Sequence, residues 1–230
     1  MRIKLLTTFA ANPTTEPPSP PLSASPEFTL VIGTHNRKKG AELAELLAPH
    51  GLRVQTLSDF PNAIEVVEDG DSFAANAALK ATQQAMHLKH WVLADDSGLA
   101  VDALRGAPGI YSARYAGPNA TDDANNAKLI AELANTPLEK RTAHYVCHVT
   151  LADPTGAIRA ESHDECHGRI LTKPSGTNGF GYDPLFEVIE YHRTFGELGP
   201  AVKRAISHRS RALRAILPQI VALSRVSLGQ

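Results

Sequence analysis

The chain has 230 residues, 43% of them hydrophobic and 20% charged, a composition ordinary for a globular protein long enough to bury a core. Its formal net charge of -1 gives no global field of the kind that draws a protein onto nucleic acid or an anionic membrane, so any phosphate chemistry must come from local clusters. No apolar run approaches the roughly 18 residues of a membrane span, and two cysteines, Cys147 and Cys166, make no disulfide framework, which fits a reducing cytoplasm.

Residues 1–27 read as a proline- and serine-rich, disordered extension, because they hold too few apolar side chains to offset their ordering entropy. The opening "MRIKLLTTFAA" has too short an apolar run for a signal peptide. A folded domain is expected over residues 28–230. It begins with "FTLVIG" as a buried strand, followed by "THNRKKG" and a helix, "AELAELLAPH", that stops near Pro49 and Gly51. "IEVVE" (64–68) reads as a second strand. Ser72 caps a helix whose Phe73, Ala77, Ala81, Ala85 and Leu88 recur at helical spacing. "WVLA" (91–94) is a third strand, ending in Asp95 and Asp96. "TDDANNAKLIAELANT" is a capped helix, and "TAHYVCHVTLA" and "AIRAESHDECHG" form a hairpin about the turn "DPTG". "GTNGFGYDPLF" is a glycine-rich loop, and "AVKRAISHRSRALRAILPQIVAL" a single closing amphipathic helix with room for a kink before Pro218. Helices mixed with strands, at least one pair antiparallel, indicate an α/β fold around a mixed sheet.

Four clusters can carry chemistry. Arg37, Lys38 and Lys39 stand at a helix start, the wrong sign for the macrodipole. An anion held by free N–H groups, Thr34, Asn36 and the lysines resolves that conflict; a solvated basic turn is the alternative. Strand alternation sends Asp95 and Asp96 to opposite faces, so one can face a cleft while the other braces the loop. With Glu68 at another strand end, two carboxylates suit a magnesium ion that takes its other ligands from phosphate and water; Asp-Ser-Gly as a plain turn is the alternative. In "GTNGFGYD", Phe180 offers a stacking face and Asp183 an acceptor, or the segment is a structural turn. Lys203, His208 and Arg209 could offer donors to the N7 and O6 of a 6-keto purine, or form a solvated basic face. Cys147, His148, Cys166 and His167, with His144 and His163, look like zinc material. However, pairing Asp153 with Gly156 sets Cys147 opposite Ser162 and Cys166 opposite Ala143, with the sulfurs roughly 13 Å apart along the ladder, too far for tetrahedral zinc.

Together, "ADDSGLAVDALRGAPGIYSARYAG", "GTNGFGYDPLF" and "AISHRSRAL", in that order, resemble the inosine/xanthosine triphosphate pyrophosphatase family from Phe28 to the last helix. The resemblance implies a two-lobed α/β protein with a long mixed sheet under a central cleft, flanked by helices, and a homodimer. It also implies Mg2+-dependent hydrolysis of non-canonical purine nucleoside triphosphates (XTP, dITP, ITP) to monophosphate and pyrophosphate, which would cleanse the nucleotide pool. Asp96 matches the family's catalytic aspartate and, with Glu68, is expected to hold the metal. Ser97 matches a substrate contact, Thr34, His35, Asn36, Arg37, Lys38 and Lys39 the phosphate segment, and Phe180, Gly181, Tyr182, Asp183, Lys203, His208 and Arg209 the segments that hold the nucleotide. His35 stands where the family commonly has glycine. Ala75 stands where it often has a glutamate, which we read as a capping-box partner of Ser72; the alternative is a glutamate that reaches the metal, whose loss would weaken metal binding here. The expected attack is on the α-phosphorus, with Asp96 or a metal-bound water delivering hydroxide and Lys39 holding the triphosphate. Two rival readings are a related pyrophosphatase preferring other modified nucleotides and a catalytically dead nucleotide sensor. A zinc-stapled interaction module is a third.

Overall fold

A computed structural model describes residues 28–227; the extension expected over residues 1–27 lies outside them. Seven strands form one sheet in the order β2-β1-β3-β4-β5-β6-β7. β1 (Thr29–Ile32) lies parallel to both β2 (Arg53–Thr56) and β3 (Trp91–Val101). β4 (Thr142–Ala152), β5 (Ile158–Ile170), β6 (Phe186–Val188) and β7 (Arg193–Thr194) continue the sheet antiparallel from β3.

Helices cover both faces, which is why β1 is buried throughout rather than alternating. Leu30 and Ile32 pack with Leu43 and Leu47 of α1 (Arg37–Leu47) and with Leu213, Ile216 and Ile220 of α5 (His208–Ser227). Val31, one residue out of phase, packs on the other face with Ala81 and Ala85 of α2 (Phe73–Leu88), along with Val92 and Ala94. At the far end of the long strands a separate core gathers Leu99, Val101, Leu129, Ile170, Phe186 and Phe195, with Leu129 supplied by α3 (Asp122–Glu132). β3, β4 and β5 thus run through both lobes, and the cleft opens between them. Among the described residues no helix is long and apolar enough to cross a membrane.

Several expectations are corrected. The aspartate pair does not end its strand: β3 continues to Val101, with Asp95 opposite Val149 and Asp96 opposite His148. "IEVVE" is not a strand. The place beside β1 belongs to the short, polar β2, and the backbone of Ile64 is held instead by Gln84, whose side chain bonds both its N–H and its carbonyl. Glu68 therefore sits on an irregular segment. The closing helix is two helices, α4 (Pro200–Ile206) and α5, parted at Ser207, whose backbone is extended and whose hydroxyl accepts from the N–H of Ser210. α5 continues through Pro218. In the hairpin the register differs by two residues, with Cys147 opposite Asp164 and Cys166 opposite Tyr145; the ladder shifts at Leu151/Ala152. The two cysteines lie closer along the ladder than expected, but they share one face while the histidines of β4 and β5 occupy the other. Alternation itself therefore breaks up the apparent Cys–His zinc set.

Candidate active site

A cleft of about 300 Å³ lies between the lobes, and every predicted site residue except Arg37 and Lys38 lines it. Arg37 is exposed at the start of α1. Lys38 reaches across to Asp122 at 3.4 Å, and its ammonium lies 5.5 Å from the Phe180 ring centroid.

The chemistry centres on β3. Leu93, Asp95 and Ser97 point to the α1/α5 face, Ala94 and Asp96 to the α2 face. Asp95 is fully buried. Arg209 Nε donates to its Oδ2 at 3.2 Å, Ser97 Oγ donates at 3.1 Å, and the Lys39 ammonium stands 3.7 Å away. Burial pushes the Asp95 pKa up, but Lys39, Arg209 and Lys80 outweigh it and hold the carboxyl well below the usual range. Asp96, 7% exposed, forms part of the cleft wall. Lys80 Nζ donates to its Oδ1 at 3.0 Å and Asn76 Nδ2 to its Oδ2 at 3.4 Å. Here burial prevails over the pull of Lys80 and Lys39, and the pKa is raised.

Lys80 was not foreseen. Its ammonium lies between Asp96 and Glu68, 2.8 Å from Glu68 Oε2. Burial disfavours its charge, yet Asp96, Asp95 and Glu68 more than compensate and raise its pKa. The signal was present in the sequence: Asn76, Lys80 and Gln84 recur every four residues as a buried polar row beside the alanine stripe of α2. Glu42 was also missed. From α1 it pairs with Lys203 at 3.0 Å and with Arg209.

At the α1 end of the cleft, Asn36 caps α1 and its side chain already accepts from the N–H groups of Lys38 at 3.0 Å and Lys39 at 3.2 Å. Those donors are therefore not free as expected; the Lys39 ammonium and Thr34 remain on the cleft wall. His35 donates from Nε2 to the Ile64 carbonyl at 3.1 Å, fastening the segment that carries Glu68.

At the other end, Asp183 accepts from the Phe180 N–H at 2.8 Å, from Lys203 at 2.7 Å and from Tyr145 Oη at 3.3 Å. Burial raises its pKa against the pull of Lys203. The Lys203 ammonium sits 4.5 Å from the Phe180 ring centroid. Gly179 has φ +76°, and a Cβ there would run into the Asp183 carboxylate, so the tight turn requires glycine. Gly181 donates its N–H to Asp122 at 2.9 Å, and Tyr182 Oη donates to the Ser112 carbonyl at 2.8 Å. His208 stacks on Tyr145 with centroids 4.7 Å apart, and its buried Nδ1 has no partner among the described residues. Burial, reinforced by Arg209 and Lys203, drives its pKa well below the ordinary value, so the ring is neutral at neutral pH.

Among the described residues no three His, Cys, Asp or Glu side chains are grouped so as to hold a metal ion. The Lys80 ammonium already bridges Asp96 and Glu68, so a hard divalent cation would share the pair only by displacing that ammonium from between them. Magnesium commonly takes only one or two carboxylates and draws its remaining ligands from phosphate and water.

A model of the Ham1 family matches residues 30–219. A dITP/XTP pyrophosphatase of Rhodopirellula baltica is 57% identical over 196 residues, 85% of this chain and 94% of that protein. One from Desulforamulus reducens is 50% identical over 185 residues, 80% and 92% of the two chains. Among solved structures, a HAM1 protein from Coxiella burnetii superposes with a TM-score of 0.77 at 36% identity, covering 85% of this chain and 99% of that one. A nucleoside-triphosphatase / dITP/XTP pyrophosphatase from Mycobacterium abscessus gives 0.68 at 43% identity, covering 83% and 100%. Sequence match, coverage and shared architecture agree: the chain belongs to the Ham1 family.

Proposed function

We propose that this chain is a dITP/XTP-type pyrophosphatase that hydrolyses non-canonical purine nucleoside triphosphates to monophosphate and pyrophosphate, with Asp96 as its catalytic carboxylate. The observation that carries this reading is the division of one cleft into two ends. Acidic Asp96 and Glu68 stand with Lys39 and Lys80 at one end, and Phe180, Tyr145 and neutral His208 at the other. A polyphosphate suits the first end and a flat base the second.

In this mechanism Asp96 orients a water on the α-phosphorus and accepts its proton as the new O–P bond forms, and burial, by raising its pKa, makes it a stronger base. The bond from the α-phosphorus to the bridging oxygen breaks, and the charge that collects on the departing pyrophosphate is met by Lys39. Lys80 keeps Asp96 ionised and aimed into the cleft. Asp96 and Glu68 would hold the divalent ion, which we assign as Mg2+, and the ion would supply charge neutralisation across the phosphate oxygens. Lys203, Asp183 and Phe180 frame the nucleotide, with Ser97 and Arg209 behind it. His208 reads the base: a donor facing the 6-keto oxygen forms a hydrogen bond, whereas the same donor facing the adenine amino group is left unpaired, at a cost of about 1–3 kcal/mol. The same reading includes a homodimer in the cytoplasm, the latter in keeping with two unpaired buried cysteines.

The test is a magnesium-dependent pyrophosphate-release assay on dITP, ITP, XTP, GTP and ATP. The expected result is rapid turnover of the first three and slow turnover of ATP. Comparable rates on ITP and ATP would overturn the base-reading role, and nucleotide binding without turnover would favour a sensor.

A further inference from the structure

The histidines of the hairpin remain outside the cleft chemistry. On one face of the β4–β5 ladder, successive cross-strand pairs are His144/His167, Val146/Glu165, His148/His163 and Thr150/Glu161. The His148 and His163 rings lie nearly parallel, 12° apart, with centroids separated by 5.0 Å. Among the described residues neither ring takes part in a hydrogen bond or ion pair. The other pair differs: His144 Nδ1 lies 3.9 Å from Asp102 and His167 Nε2 lies 3.2 Å from Glu165, so each of those rings already faces an acid. His163 is exposed and His148 is half-buried, each within a strand. Glu161 and Glu165 flank His163 two residues away on the same face and give the spot a negative potential.

We propose that His148 and His163 form a two-histidine chelate for a borderline divalent transition metal ion, such as Zn2+, Ni2+ or Cu2+, on the sheet face that they share with Asp96. Imidazole nitrogens bind such ions at about 2.0–2.1 Å and favour them over Mg2+. A modest turn of the exposed His163 ring brings its nitrogen towards that of His148, the two bases being adjacent across the ladder. Because among the described residues no third side chain is grouped with them, water completes the coordination and the ion exchanges freely. His148 is the direct cross-strand neighbour of Asp96, yet neither histidine lines the cleft. The ion would therefore sit one strand away from the catalytic carboxylate, in a separate site. This assignment does not depend on the proposed hydrolysis.

The experiment is calorimetric titration of the full-length, tag-free protein with Ni2+ in excess Mg2+, which occupies oxygen sites, together with electron paramagnetic resonance of the Cu2+-loaded protein. The expected result is a site whose affinity falls by about tenfold or more in both His148→Gln and His163→Gln and is unchanged in Glu68→Gln. The copper signal should show two coupled nitrogens in the parent and one in His163→Gln. The exposed position of His163 keeps that variant informative even if His148→Gln fails to fold. Equal Ni2+ affinity in the parent and His163→Gln would overturn the proposal, and so would a loss that instead follows His167→Gln.

Discussion

Asp95 and Asp96 are the same residue type, adjacent in one strand, yet they live in opposite surroundings. Asp95 faces α5, where Arg209, Lys39 and Ser97 surround it and its carboxyl stays ionised far into acid. Asp96 faces α2 and the cleft, where a single lysine and an asparagine hold it and burial makes it more basic. The period-two alternation of a strand is enough to give one a buried cage of cations and the other a place on the cleft wall. The surroundings of each carboxylate follow from which layer of helices its side chain meets.

Substitutions can break that contrast. Asp96→Asn should lower kcat for dITP by about 10²–10⁴-fold, the usual scale for losing a positioned base, with little change in the urea midpoint; pyrophosphate release and a denaturation curve together check both halves. Asp95→Ala should show the converse pattern, with a loss of about 3 kcal/mol in stability. Arg209, deeply buried, would keep Glu42 but lose its central acid. Urea unfolding measures this, and an unchanged midpoint would mean that Asp95 does not brace the cleft.

A smaller effect is expected at His208. Replacement by Gln should narrow the preference for ITP over ATP by about 1–3 kcal/mol, read from kcat/KM. The same variant sharpens the electrostatic side of the comparison. The folded-state pKa of His208 lies well below its unfolded value near 6.5, so protonation favours the unfolded chain. Its contribution to stability is present above about pH 6.5 and is lost as the pH falls below it. Plotted against pH, the stability of His208→Gln should therefore decline less steeply than the parent's between neutral and mildly acid conditions. The smallest effect is local to α2. Ser72→Ala should cost about 1 kcal/mol, since Ser72 Oγ accepts from the Ala75 N–H at 3.2 Å. Ala75→Glu should add a smaller increment to the parent, by giving Ser72 a capping-box partner at the N3 position.

Much of this was legible where a local rule coincides with the tertiary outcome. The caps at Ser72 and Thr121, the buried β1, the hairpin and the opposed faces of the aspartates all follow from short-range pattern. β2 escaped because "RVQT" is only four residues long with a single strongly apolar side chain, Val54, and it is a strand because β1 offers an edge. "IEVVE" misled in the other direction, its apolar run being left beside the cleft with Val67 exposed. Ser207 looked like one more residue of a long amphipathic helix, and the break there depends on the serine capping the next helix. Within the site, acids and bases were legible as types, whereas their pairings were not. Lys80 and Glu42 act through partners 16 and 167 positions away, which no local window connects.

The way Glu42 is shared has a kinetic consequence. It serves Lys203 and Arg209 at once, Asp183 adds to Lys203, Asp95 holds Lys39 and Arg209, and Asp96 with Glu68 holds Lys80. Every one of these bases has its counterion in place before any ligand arrives. An incoming anion thus exchanges places with resident acids instead of being pulled in from afar. Encounter is governed by ordinary diffusion into the opening, and the association rate should respond only weakly to ionic strength.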